Sequence, residues 1–148
     1  MTNKNSNIAV VDPTRHFYAE KDLLIVAVDF DGVLVDSAYP KLGLPKHAYH
    51  ELLKELKKNG WYIILWTCRS GNELAAAINY CLECKIPIDR VNDHHPEMMQ
   101  RFDGKCSPKI HADVYIDDKN ANGLASADDI LAYCNSLQDQ IQNGCTSK

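Results

Sequence analysis

Leu23-Leu24-Ile25-Val26-Ala27-Val28-Asp29-Phe30-Asp31-Gly32-Val33-Leu34 runs from an unbroken apolar stretch straight into two acids one residue apart and a glycine. Apolar residues rich in Val and Ile suit a strand covered on both faces, the condition of a central strand in a parallel sheet. In such sheets ligands bind beyond the carboxyl ends of the strands, which is where Asp29 and Asp31 fall. Asp and Gly also make ordinary turns. The decision therefore rests on what the rest of the chain brings to the same edge.

Downstream of Leu34, residues 36–45 contain Pro40, Gly43 and Pro45 and predict an irregular flap over that edge. Residues 46–59 place Ala48, Leu52, Leu53 and Leu56 at helical spacing and stop at Asn59-Gly60. Trp61-Tyr62-Ile63-Ile64-Leu65-Trp66 reads as a second buried strand, ending in Thr67-Cys68-Arg69-Ser70-Gly71, and residues 72–85 as a helix with Leu74, Ala75 and Ile78 on its apolar stripe. A short third strand is expected over residues 86–91, weakened by Pro87. Residues 92–108 read as a long polar loop with Pro96, Gly104 and Pro108, functional or mobile in character. His94-His95 within it suggests a metal, but adjacent side chains diverge, and a solvated loop is the better account. Asp113-Val114-Tyr115-Ile116-Asp117-Asp118 is a fourth strand ending in paired acids, residues 127–137 a closing helix, and residues 138–148 a frayed tail. Residues 1–22 form a polar extension, which leaves 23–137 as the single domain.

Strands alternating with helices imply right-handed crossovers and an α/β, three-layer, doubly wound parallel sheet of Rossmann-like type. At 148 residues the chain supports one such domain. A net charge of −4 offers no general attraction to nucleic acid or to anionic membrane, although a phosphorylated nucleic-acid end remains compatible as a substrate. No apolar run approaches a membrane span and the N-terminal residues carry no apolar signal core, so a cytoplasmic address and no membrane partner are expected. The six cysteines, Cys68, Cys81, Cys84, Cys106, Cys134 and Cys145, then read as reduced thiols, and Cys81 and Cys84 lie within a helix rather than in a metal-binding turn.

Three strand ends share one edge and carry Asp29 with Asp31, Thr67, and Asp117 with Asp118. Four carboxylates gathered there repel one another unless a cation compensates, and oxygen donors without converging His or Cys suit Mg²⁺ better than zinc. A hydroxyl (Thr67) and an ammonium (Lys109) are what is needed to hold the oxygens of a phosphoryl group.

The ordered series Asp29-Phe30-Asp31-Gly32-Val33-Leu34, strand-terminal Thr67, Lys109 and strand-terminal Asp117-Asp118 resembles the four motifs of the haloacid dehalogenase superfamily, in particular its small capless bacterial and phage members. The resemblance implies a Mg²⁺-dependent phosphohydrolase with no cap domain, acting through an aspartyl-phosphate. Asp29 would be the nucleophile and Asp31 the general acid and later base. Thr67 and Lys109, with Arg69 nearby, would bind the substrate phosphate, and the metal would be held by Asp29, Asp31, Asp117 and Asp118. Arg69 and Arg101 are candidates to contact the substrate outside its phosphate. Two positions depart from the family pattern: Val33 stands where many members have Thr, and Asn122 where many have an acid. A catalytically degenerate member that binds metal and phosphate is the main alternative. A signalling receiver module is disfavoured because there the adjacent acid pair ends the first strand. Without a cap the site should be open, so affinity must come from a larger phosphorylated substrate, from a neighbouring subunit in a homo-oligomer, or from ordering of residues 92–108.

Overall fold

The computed structural model describes residues 23–144, so the expected extension over 1–22 lies outside the described residues. The chain runs β1 (Ile25–Val28), α1 (His47–Lys58), β2 (Tyr62–Leu65), α2 (Gly71–Glu83), β3 (Arg90–Val91), α3 (Pro96–Arg101), β4 (Val114–Ile116) and α4 (Ala127–Gly144). The four strands form one sheet in the order β3-β2-β1-β4. All three pairings are parallel. The fold is therefore α/β, with the opening apolar stretch as an interior strand, and every residue of β1 is buried.

Alternation along β1 divides the core between the two faces of the sheet. Val26 and Val28, with Ile63 and Leu65, pack under Leu52, Leu53 and Leu56 of α1, Ala77 and Cys81 of α2, and Cys134 and Leu137 of α4. Ile25, Ala27 and Ile64 face the other way, onto Met98, Ile110 and Ala112. Side chains also substitute for missing sheet partners where strands begin. Asp113 accepts from the Ile25 amide at 2.8 Å, and Asp89 accepts from the Ile63 amide at 2.8 Å while pairing with Lys57 at 2.6 Å.

Two expectations need correction. The tail beyond Leu137 is not frayed where described, because α4 continues to Gly144. Gln138 explains why: its oxygen accepts from the buried Trp61 indole at 3.3 Å, and its amide donates to the Asn59 carbonyl at 2.8 Å. Residues 92–108 are not an unstructured solvated loop either. Pro96 sits in the first turn of α3, capped by the His95 ring, which accepts from the Glu97 amide at 3.2 Å. His94 is buried and built in: its Nδ1 accepts from the His111 amide at 3.3 Å, so its Nε2 carries the hydrogen and donates to the Ser107 carbonyl at 2.7 Å. Among the described residues Cys68, Cys81, Cys84, Cys106 and Cys134 are free thiols, and no helix is long and apolar enough to cross a membrane.

Candidate functional site

Val28 is level with Leu65 on one side and Ile116 on the other, and Leu65 with Val91. The next residue of each strand, Asp29, Trp66, Asp117 and Asn92, therefore emerges along one carboxyl edge. There a cavity of about 520 Å³ is lined by Asp29, Asp31, Thr67, Arg69, Asp117 and Asp118, with Ser37 and Tyr39 of the flap, Trp66, Cys68 and Lys119.

Three of the expected carboxylates converge. One oxygen each of Asp29, Asp117 and Asp118 lies within 4.8 Å of the others. Burial pushes the Asp29 carboxyl up to about 7, opposed by the Phe30 amide that donates to it at 2.8 Å and reinforced by the charges of Asp117 and Asp118. Asp117 is oriented by the Lys119 amide, which donates to its Oδ1 at 2.8 Å. Asp118 Oδ2 meets the Lys119 ammonium at 3.4 Å, whereas its Oδ1 is buried with no hydrogen-bond partner. Gly32 makes this packing feasible. Its φ is +82°, and a Cβ there would run into the Asp118 carboxylate.

The fourth carboxylate is placed differently. Asp31 lies outside the triad and accepts from Arg69 through both oxygens, Nε and Nη2 each at 2.7 Å. Arg69 is correspondingly not a free phosphate ligand. Its side chain is 1% exposed and also donates to the carbonyls of Lys41 at 2.8 Å, Pro40 at 3.2 Å and Glu73 at 3.4 Å. It lies 5.0 Å from the Phe30 ring centroid and 5.3 Å from that of Tyr39. A fork of five donors satisfied by one carboxylate and three carbonyls fastens the flap to the first strand's exit. Behind it, buried His50 bonds the Leu34 carbonyl at 2.7 Å, and Lys46 donates to the Gly32 carbonyl at 3.2 Å.

Thr67 stands where expected. It is buried, and its Oγ1 accepts from the Arg69 amide at 3.1 Å, which leaves the hydroxyl hydrogen available to an acceptor in the cavity. Lys109 does not line this cavity. Its ammonium lies 5.6 Å from the Tyr115 ring centroid, in a neighbouring depression, and the lysine that lines the carboxylate cavity is Lys119. Arg101 is exposed and lines neither cavity.

Asn92 was absent from the expected set. Its side chain accepts from the Thr67 amide at 2.8 Å and donates to the Thr67 carbonyl at 2.9 Å, so it fixes the threonine backbone from the adjacent strand. Its φ of +50° is a conformation that Asn tolerates better than most residues.

Fold and site together define an α/β protein with a carboxylate-lined cleft at the carboxyl edge of a parallel sheet. No family model matches the chain, and no curated protein matches it. A solved structure of a conserved protein from Bacteroides thetaiotaomicron is 30% identical, covering 85% of this chain and 99% of that one, with a TM-score of 0.69. The chain belongs to the family of that conserved protein. A crystal structure from Vibrio cholerae is 19% identical over 82% of this chain and 98% of that one, with a TM-score of 0.43.

Proposed function

We propose that the chain is a magnesium-dependent phosphomonoesterase of the haloacid dehalogenase type, with a three-layer fold and no cap, working through a phosphoryl intermediate on Asp29. The observation that carries this is the Asp29–Asp117–Asp118 cluster with its unpartnered Asp118 oxygen. Three crowded, partly buried carboxylates are a poor arrangement without a cation, and an all-oxygen donor set suits a hard divalent ion. These three residues would hold Mg²⁺, which when bound supplies the positive charge that lets an anionic nucleophile approach a phosphate.

The chain's own residues account for the remaining steps. An Asp29 oxygen attacks phosphorus, and the bond to the alcohol oxygen breaks with its electron pair leaving on that oxygen. Water then attacks the phosphorus of the acyl phosphate and returns Asp29 as a carboxylate. The Thr67 hydroxyl, backed by Asn92, donates to a phosphoryl oxygen, and the Lys119 ammonium adds positive charge at the rim. Asp31 sits two residues beyond the nucleophile, where it can serve the leaving group once one of its oxygens is released by Arg69. Between Asp31 and Thr67 the chain has room only for the flap, α1 and β2, and between Thr67 and Lys109 only for α2, β3 and α3. An open cleft is consistent with weak, broad activity on small phosphomonoesters, with KM at or above roughly 1 mM.

Hydrolysis of nitrophenyl phosphate with Mg²⁺ tests the reading. Asp29→Asn should lower the rate by at least about a thousandfold, and excess chelator should abolish it. Comparable turnover in either case refutes the proposal. The engagement of both Asp31 oxygens by Arg69 favours a second reading, a member of the same fold that binds metal and phosphate without turnover. It predicts Mg²⁺ binding by the wild type with no hydrolysis.

A further inference from the structure

A second cavity, of about 470 Å³, lies on the sheet face opposite α1, and Met98, Phe102, Lys105, Lys109 and Tyr115 are among its lining residues. Its walls are fixed. The Tyr115 hydroxyl donates to the Ile110 carbonyl at 2.6 Å and accepts from the Ala112 amide at 3.2 Å, and His94 ties the segment 94–111 together through the two bonds described above. No carboxylate lines it, and among the described residues neither Lys105 nor Lys109 has a carboxylate partner. In a chain of net charge −4 this is a local concentration of positive charge. The aromatic surface is equally distinct. Phe102 is 46% exposed, and the Tyr115 ring carries the Lys109 ammonium. Tyr115 also packs against Trp66, ring centroids 5.6 Å apart, and Trp66 lines the carboxylate cavity. The Trp66–Tyr115 contact thus joins a wall of one cavity to a wall of the other.

We propose that this second cavity binds an anionic group and an attached aromatic ring of the same substrate whose scissile phosphate lies at Asp29, so that the preferred substrates are nucleotide-like bisphosphates rather than simple phosphomonoesters. The assignment of the scissile end rests on the phosphohydrolase reading. Lys105 and Lys109 supply the charge for the distal anion, and the exposed Phe102 supplies flat apolar surface for the ring. An open cleft that cannot enclose a small metabolite gains affinity by extending its contacts along a longer one.

Calorimetric titration of the Asp29→Asn protein with adenosine 3′,5′-bisphosphate, adenosine 5′-monophosphate and inorganic phosphate measures binding without turnover. The bisphosphate should bind at least about tenfold more tightly than the monophosphate, and Lys105→Glu or Phe102→Ala should remove most of that advantage while changing phosphate binding less than about twofold. In the wild-type background Lys105→Glu should leave nitrophenyl phosphate hydrolysis unchanged. A bisphosphate that binds no better than the monophosphate, or one indifferent to both substitutions, overturns the inference even if hydrolysis is intact. If the wild type hydrolyses nothing but the bisphosphate still depends on Lys105, the second site stands and the phosphohydrolase reading falls.

Discussion

Replacing Arg69 by Met keeps most of the side chain's length and removes its donors. The change strips both hydrogen bonds from Asp31 and those to Lys41, Pro40 and Glu73, at a side chain that is 1% exposed. Breaking a buried pair on one side costs about 3–5 kcal/mol, because the remaining charge is left uncompensated. The Asp31 side chain is 21% exposed and recovers some hydration, which puts the expected loss near the lower figure, about 3 kcal/mol. Urea unfolding measures it directly, with an unchanged slope expected, and amide exchange over residues 36–45 should accelerate as the flap loses its anchor. Arg69→Lys should rescue little, since one ammonium cannot reproduce the fork. A loss below about 1 kcal/mol, the range of exposed ion pairs, would refute the view that Arg69 fastens the flap to Asp31.

Asp29 titrates near 7 in the folded protein against an ordinary 3.8, so between those values the folded state holds a proton that the unfolded chain has lost. Stability of the metal-free protein should therefore fall as pH rises through that window and level off above it, and Mg²⁺ should raise Tm more at pH 8 than at pH 6; an equal increment at both would count against Asp29 as a ligand. Gly32→Ala should cost at least about 2 kcal/mol in thermal or urea unfolding, from the positive φ and the encounter with Asp118, and should abolish Mg²⁺ binding. Gln138→Ala, which removes the partners of Trp61 and Asn59, should cost about 1–2 kcal/mol in the same measurement, and no change would mean that the α4 extension contributes nothing. Asp31→Asn should slow alkyl phosphates more than nitrophenyl phosphate, whose leaving group departs without a proton, and an equal loss on both would confine Asp31 to positioning.

The strands were legible in the sequence because burial on both faces leaves little but Val, Ile and Leu in β1 and β2, and because acids that close such runs stand out. That logic reached Asp29, Thr67, Asp117 and Asp118. It could not reach contacts made across the chain. Asp31 and Arg69 find each other over 38 positions, and neither residue type announces a partner. Gln138 looks like tail polarity until the Trp61 indole requires an acceptor. α3 was hidden because its cap is a histidine ring, outside the usual Ser, Thr, Asp and Asn set. Lys109 was read by its place in the ordered series of motifs, yet the course of residues 105–111 turns it toward Tyr115 and leaves Lys119, next to Asp118, at the rim.

Among the described residues the outer strands of the sheet, β3 and β4, have two and three residues. An open sheet always presents two rows of unpaired backbone donors and acceptors, and a long row is a template on which another chain can add. Here each row ends almost as soon as it begins, too short to hold an incoming strand in register. The longest pairing, four residues, joins the two interior strands, which are covered on both faces. The protein thus carries a highly apolar, Val- and Ile-rich centre with little means of passing that pattern to a neighbour, a protection against edge-to-edge aggregation that costs the site nothing, since Asp29 and Thr67 leave from β1 and β2.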